Sequence, residues 1–199
     1  MLKIERGVTR YDIMPIPPID AHCQRFEVAP ISIWVEYRLL DEAIGAAHQA
    51  SQNYEGRIGP INDRGVALHV FGEPALGEPE AEFLRFDCFE EGPHYHYVSY
   101  AEQMNDMVHL DPHAHGDPLR WALECIRTRL PQMLERAGAA ELATCIDQGS
   151  IEQILPLVTE AAFRVRFQHD DASIYAGALA GASKAAGTSP AAGVTGGAS

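Results

Sequence analysis

A cluster of histidines near the middle of the chain has the side chains that bind metal ions. The stretch HYHYVSYAEQMNDMVHLDPHAHGDP, residues 94–118, holds five of the nine histidines. Side chains on a strand alternate between its two faces, so His94 and His96 would share one face with their Cβ atoms about 6.6 Å apart. Two imidazoles placed in this way can converge on one ion.

A zinc or iron site needs further ligands, and the neighbouring residues offer several. The candidates have imidazole or carboxylate side chains, and they are His109, Asp111, His113 and His115 downstream and Asp87 upstream. Asp87 is separated from His94 by the turn EEGP, so it can bind an ion directly or hold the tautomer of a histidine. The set predicts a divalent-metal site in which metal-activated water would attack a small polar substrate.

The same residues also fit a purely structural interpretation. His94 and His96 can form the polar face of an outer strand, and HLDPHAHGDP can be a solvated turn before a helix. Arg85 and Asp87 share a strand face, where a mutual or cross-strand salt bridge is the simplest interpretation. No fixed-spacing motif such as HExxH is present. The sequence does not decide whether the protein is an enzyme, and the alternative is a non-catalytic interaction or accessory subunit.

Composition argues against several other classes of protein. The chain has 28 acidic and 15 basic residues, and its formal charge of −13 repels nucleic acids and anionic membranes. It has no glycine-rich loop for a nucleotide cofactor, no CxxC pair, no apolar stretch of about 20 residues and no secretion signal. We expect a cytoplasmic protein that binds another protein or copies of itself, with no nucleic acid, membrane or nucleotide cofactor.

Hydrophobic periodicity predicts the elements that position these residues. ISIWVEYRLL, residues 31–40, alternates as a half-buried strand does. VALHVF, AEFLRFDCF and HYHYVSY predict three more strands, which are joined by short turns and are therefore antiparallel. Two helices with apolar stripes follow, one beginning at Asp117 and one near Ser150. Both contain an internal proline, at residues 131 and 156, which we expect to kink or interrupt them.

The chain is predicted to divide into three parts. Residues 1–30 contain MPIPPID, whose prolines favour an extended arm. Residues 31–172 are expected to form a single α+β domain, an antiparallel sheet of about four strands with a C-terminal helical layer. Residues 173–199 are rich in Ala, Gly and Ser, which predicts a flexible C-terminal tail.

Two resemblances to known families involve the same strands. RFDCF followed by PHYHY, with RLLDE and GPINDRG upstream, resembles a family of uncharacterised bacterial proteins over roughly residues 31–136, which implies a domain without an assigned activity. More distantly, RFD at residues 85–87 with His94 and His96 is similar to the TumE-like toxins of bacterial toxin–antitoxin pairs. Cys88 stands where that pattern has Asn. The second resemblance implies a toxin as a further alternative.

Overall fold

A seven-stranded antiparallel sheet organises the fold in the computed structural model, which describes residues 7–56, 61–75 and 77–184. The strands, in chain order, are β1 (Val8–Tyr11), β2 (Gln24–Val28), β3 (Ile31–Leu40), β4 (Asp63–Gly72), β5 (Ala81–Phe89), β6 (His94–Ser99) and β7 (Met104–His109). Their order in the sheet is β1-β7-β6-β5-β4-β3-β2. Strands β3 to β7 are therefore neighbours in chain order, while β1 and β2 form the two edges.

Helices cover the sheet and give the α+β class that the sequence predicts. They are α1 (Glu42–Ser51), α2 (Pro112–His115), α3 (Pro118–Arg136), α4 (Ala140–Thr144), α5 (Gln148–Phe167) and α6 (Asp171–Lys184). Helices α3 and α5 pack on one face of the sheet and enclose the main hydrophobic core. Helices α1 and α6 pack on each other around a smaller cluster that contains Ile44, Ala178 and Ala182.

Both long helices that the sequence predicts are present, and the second begins three residues before the predicted position. Asp117 caps α3, and its side chain accepts a hydrogen bond from the Arg120 amide. Helix α5 begins before the predicted Ser150, because Asp147 is its cap and accepts from the Ser150 amide. Both helices continue through their internal prolines. No helix in the described ranges has both the length and the apolar character of a membrane span.

The predicted number of strands, about four, is wrong, because β1, β2 and β7 also join the sheet. Strands β1 and β2 are edge strands of four and five residues on either side of the prolines, inside the segment predicted to be an arm. In strands this short, the alternation of apolar and polar residues is too brief to indicate a strand. Strand β7 has the sequence MNDMVH, in which polar residues interrupt the apolar pattern because one of its faces lines a cavity.

Parts of both ends of the chain pack on the domain. Residues 12–19 form the extended segment between β1 and the short 3₁₀ helix Asp20–His22, and we call this segment the arm. The first part of the predicted tail lies in α6, where Ile174 and Ala178 are buried. The remainder, residues 185–199, lies outside the described residues. The proposed limits of the domain, residues 31–172, stay a prediction.

Buried polar side chains line the face of the sheet opposite α3 and α5. They come from alternating strand positions, and they are Ser32, Glu36, Arg38, His69, Glu82, Arg85, Asp87, His96 and Asn105. Burial of so many polar groups is costly unless each finds a partner. Residues that pack on this polar face must therefore supply hydrogen-bond partners or opposite charges to it.

The arm provides acceptors to the donors of the polar face. Arg85 and Arg38 donate to the Ile16 carbonyl over 2.6 and 2.9 Å, and Asn105 donates to the Ile13 carbonyl over 2.7 Å. The prolines of MPIPPID have no N–H, so this segment presents carbonyls without extending a ladder of strands.

Charged side chains on the polar face form a connected network around Glu82. Arg85 donates two hydrogen bonds to this carboxylate, over 2.8 and 2.6 Å, and His69 Nδ1 lies 2.6 Å from it. His69 Nε2 lies 3.2 Å from a carboxylate oxygen of Glu36. Glu82 and Arg85 share a face although three positions separate them, because the register of β4 and β5 shifts at a bulge.

The network determines which of its members are charged. Burial acts to raise the pKa of Glu82, but the charges and hydrogen bonds of Arg85 and His69 hold that pKa at about 2. Burial acts to lower the pKa of His69, but Glu82 and Glu36 raise it above its usual value. The charged forms of Glu82 and His69 therefore stabilise each other, and Arg85 stabilises the carboxylate of Glu82.

We expect Glu82→Gln to lower the free energy of unfolding at neutral pH by about 3 to 5 kcal/mol, because it leaves buried cations unpaired. The folded-state pKa of Glu82 is depressed, so its stabilisation is present above the unfolded value of 4.5 and disappears as the pH falls toward about 2. The difference between variant and wild type should therefore narrow over that range. Urea unfolding at a series of pH values measures it, with exposed Glu78→Gln as the control. A difference that does not change with pH would contradict the prediction.

Candidate metal centre

Strands β5 and β6 bring Asp87, His94 and His96 together. The two strands form an antiparallel hairpin whose register places Asp87 opposite His94 and Arg85 opposite His96. His94 and His96 are two positions apart, so both side chains lie on the polar face of the sheet, the shared face that strand alternation predicts. The hairpin therefore supplies three potential metal ligands from adjacent positions.

The three side chains have the spacing of a metal coordination sphere. His94 Nε2 and His96 Nε2 lie 3.4 and 3.3 Å from the same oxygen, Oδ2 of Asp87. One ligand atom from each residue lies within 4.8 Å of the other two. Around a tetrahedral zinc ion with bonds of 2.0 to 2.1 Å, ligand atoms are about 3.3 to 3.4 Å apart. The separations of the two imidazole nitrogens from Oδ2 of Asp87 match this value.

Hydrogen bonds on the far side of each imidazole fix its tautomer. His94 Nδ1 lies 2.7 Å from the Gly92 carbonyl, which can only accept, so this nitrogen carries a proton. His96 Nδ1 lies 2.8 Å from Oδ1 of Asn105. The amide of Asn105 is oriented by its donation to the Ile13 carbonyl, so its oxygen faces His96 and His96 Nδ1 is also protonated. Unless a ring takes up a second proton, the Nε2 lone pairs of both histidines point toward the carboxylate between them.

The lone pairs and the carboxylate leave a place between them for a proton or a metal ion. Both an Nε2 lone pair and a carboxylate oxygen are acceptors, so they repel each other unless a proton or a metal ion lies between them. Asp87 is only 2% exposed, and its other oxygen, Oδ1, has no hydrogen-bond partner among the described residues. A buried carboxylate with an unsatisfied oxygen is costly. The arrangement therefore fits a bound cation.

Charges within the group show where a proton resides when no ion is bound. Burial acts to raise the pKa of Asp87, but hydrogen bonds from both histidines hold it well below its usual range. Burial acts to lower the pKa of His94, but the hydrogen bond and charge of Asp87 raise it above its usual value. For His96, burial together with the charge on His94 outweighs Asp87 and lowers the pKa. The pKa of His94 therefore lies above that of His96, so His94 is the first of the two to take up a second proton.

The three residues line a cavity of about 540 Å³. Its other walls include apolar side chains from the arm, from β5 and β7 and from the segment before β4, namely Ile13, Met14, Ile16, Ile61, Phe89 and Met107. Small-molecule sites have volumes of this order and are mostly apolar with a few convergent polar groups. Three protein ligands beside a cavity resemble a catalytic metal site, which keeps a position for water or substrate, more than a closed structural site.

His109 lies next to the group without belonging to it. It is opposite His94 in the pairing of β6 and β7, and the two rings have their centroids 5.8 Å apart. His109 also lines the cavity, and burial together with the charge on His94 lowers its pKa. Of the downstream residues predicted to be ligands, it is the one that the structure brings to the site.

The other predicted ligands, Asp111, His113 and His115, are not brought to the group. Asp111 caps α2 by accepting from the His113 amide, and all three residues are exposed. The His115 ring packs edge-on against Trp121, at 5.5 Å between centroids, and Trp121 contacts Phe86. Phe86 points to the core face of the sheet, so α2 carries these side chains away from the polar face. A helical turn at this position was not visible as a periodic pattern in so short a segment.

One ion pair differs from the interpretation of the sequence, and one residue of the site was not identified from it. Arg85 pairs with Glu82 in its own strand and not with Asp87, which leaves Asp87 to the histidines. Asn105 was not identified from sequence because β7 was not predicted as a strand. Recognition of β7 would have placed Asn105 and His109 on the face of the sheet that carries His94.

Comparison with known families identifies the domain to which these residues belong. Residues 25–162 match a domain of unknown function, DUF7700. The chain belongs to the DUF7700 family. The DUF7700 match includes the whole β5–β6 hairpin, and it supports the predicted membership of an uncharacterised domain family. No curated protein and no solved structure matched the chain. The similarity to TumE-like toxins is not shown by these comparisons and stays a prediction.

We expect Asn105→Ala to weaken zinc binding by about 10-fold to 100-fold, because His96 loses the acceptor that fixes its tautomer. Asn105→Asp keeps an oxygen acceptor for His96 Nδ1 and should retain more of the affinity. Competition with a chromophoric chelator measures the dissociation constants, and circular dichroism checks the fold. Asn62→Ala, which removes another amide that lines the cavity, is the matched control. Equal affinities for wild type and Asn105→Ala would contradict a role for Asn105.

Proposed function

We propose that this DUF7700 protein binds a divalent transition-metal ion, zinc or iron, through Asp87, His94 and His96, and uses the ion to hydrolyse a small polar substrate. The observation that carries the proposal is the convergence of two Nε2 lone pairs on one buried carboxylate oxygen while both Nδ1 protons are engaged elsewhere. Two imidazoles and one carboxylate are the ligands of several zinc hydrolases and of non-haem iron enzymes.

Hydrolysis suits the surroundings of the site. A divalent ion with a free coordination position polarises a substrate oxygen and activates water. The cavity offers room for a small molecule beside the ligands, and the arm closes one of its walls. His109 lies next to His94, within reach of the same space, where its imidazole can exchange a proton with water or substrate.

An accessory or interaction subunit is the second candidate function. Phe167 and Leu157 on α5 are 75% and 53% exposed, and they are the most exposed of the large apolar side chains among the described residues, which makes α5 the helix on which we propose that a protein partner or a second copy would dock. This partner and the cytoplasmic location stay predictions. The toxin alternative gains no support from the charge of −13, which disfavours an RNA substrate.

Metal content tests the proposal directly. Wild-type protein, purified without a histidine tag and loaded with zinc or iron, should retain about one ion per chain after dialysis, because three ligands converge on one point. His96→Gln removes one ligand and should lose most of the ion. His113→Gln makes the same substitution at an exposed histidine outside the group and should retain it. Elemental analysis of the three proteins measures the stoichiometry.

Two results would contradict the proposal: a wild type that retains neither metal, or equal loss from His96→Gln and His113→Gln. The hydrolytic step is tested with the same proteins on a panel of small esters and amides. Turnover should require the ion, disappear in His96→Gln and persist in His113→Gln. Turnover that is independent of metal would show that the ion has no part in the reaction.

A further inference from the structure

We infer that the substrate of this cavity is an amine: a small molecule whose metal-binding head reaches Asp87, His94 and His96 and whose tail carries a positive charge. The inference rests on the proposed metal site and specifies the chemical class of its substrate. Three observations support it: a second hollow that adjoins the cavity, the negative charges that line this hollow, and the engagement of Arg85 inside the cavity by other residues of the protein.

A second hollow, of about 390 Å³, adjoins the cavity. The two spaces share four lining residues, which are Leu40, Asn62, Asp63 and Glu91. Asp87 and His96 are buried and His94 is half-buried, whereas Asn62 and Glu91 are exposed. A molecule with its head at the metal ligands and its tail in the second hollow therefore passes Asn62 and Glu91.

Carboxylates predominate along this path. Among the described residues, the second hollow is lined by four carboxylates and by one guanidinium, that of Arg64, which leaves an excess of three negative charges in this set. The four carboxylates are Asp41, Asp63, Glu90 and Glu91. Arg64 is already engaged, because it lies 3.5 Å from Glu90 and 3.4 Å from Asp171. The potential at the mouth should therefore attract a cation and repel an anion.

The inner cavity offers no free arginine or lysine to an anionic tail, within the described residues. Arg85 is the guanidinium that lines it, and this side chain is 2% exposed. Its Nε and Nη2 donate to Glu82, and its Nη1 donates to the Ile16 carbonyl. A carboxylate or phosphate group inside this cavity would therefore be desolvated without a matching positive charge among the described residues.

The buried end of the cavity points to an occupant independently of these charges. Asp87 lines the cavity, is more than nine-tenths buried and has one carboxylate oxygen without a hydrogen-bond partner. The hollow that contains the acidic mouth shares lining residues with the cavity that contains Asp87. Together they define a site that takes a metal-binding head inside and a cationic tail outside.

Three hydroxamates of equal length test the inference on the zinc-loaded full chain. They share the zinc-binding head and end in an ammonium, a methyl or a carboxylate group. Calorimetry at low ionic strength should show the ammonium compound binding about tenfold more tightly than the carboxylate compound, with the methyl compound between them. Added salt should reduce the difference, because the charges at the mouth are exposed to solvent.

Two substitutions separate the mouth from the overall charge of the protein. Glu91→Gln removes one charge at the mouth and should lower the ratio of ammonium to carboxylate affinity by about threefold. Glu152→Gln removes the same charge from the exposed surface of α5 and should leave the ratio unchanged.

Each outcome bears on a distinct claim. Equal affinities, tighter binding of the carboxylate compound, or zinc uptake without binding of any hydroxamate would overturn the inference and leave the metal site standing. An equal effect of Glu91→Gln and Glu152→Gln would also overturn it. Failure of the chain to take up zinc would contradict the proposed function itself, and the inference would fall with it.

Discussion

Burial of charged side chains on one face of the sheet is the constraint that the rest of the structure satisfies. Charges so placed are stable only when each has a partner of opposite sign or a hydrogen bond. Glu82 meets this demand for Arg85 and His69, and Glu36 pairs with Arg38 over 3.0 Å. The Ile16 carbonyl of the arm accepts from both arginines. Asp87 is the exception, since its only described partners are two imidazoles whose Nδ1 protons are directed elsewhere. Among the described residues, Asp87 is therefore a buried carboxylate whose surroundings fit a cation.

The arm connects this constraint to the chemistry of the cavity. Its prolines keep it out of the sheet, and its Ile13 carbonyl orients the amide of Asn105, which in turn fixes the tautomer of His96. The same segment forms a wall of the cavity beside the metal ligands. A stretch that resembles a simple linker in the sequence thus determines both the shape of the site and the direction of a ligand lone pair. A DUF7700 fold without its arm would keep the three ligands but lose this control.

Sequence predicted the parts of the site that depend on local geometry. Strand alternation placed His94 and His96 on one face, and the short turn EEGP brought Asp87 opposite them. The sequence near β7 does not indicate in which direction the chain continues after this strand. His113 and His115 have side chains that can bind a metal ion, but α2 places them away from Asp87, His94 and His96. Asn105 was missed for a related reason: its role depends on pairing between β6 and β7 and on the arm, which is 92 residues distant from it in sequence. The edge strands were missed because four or five residues carry too little periodicity to distinguish a strand from a linker.

X-ray absorption spectroscopy of the zinc-loaded protein tests the central claim most directly, because it reads the ligands of the ion without reference to any substrate. The structure predicts nitrogen and oxygen neighbours at about 2.0 to 2.1 Å, with outer-shell scattering from two imidazole rings. That spectrum should be the same in His113→Gln. A shell of sulfur at about 2.3 Å, or a spectrum without imidazole scattering, would contradict a centre formed by Asp87, His94 and His96.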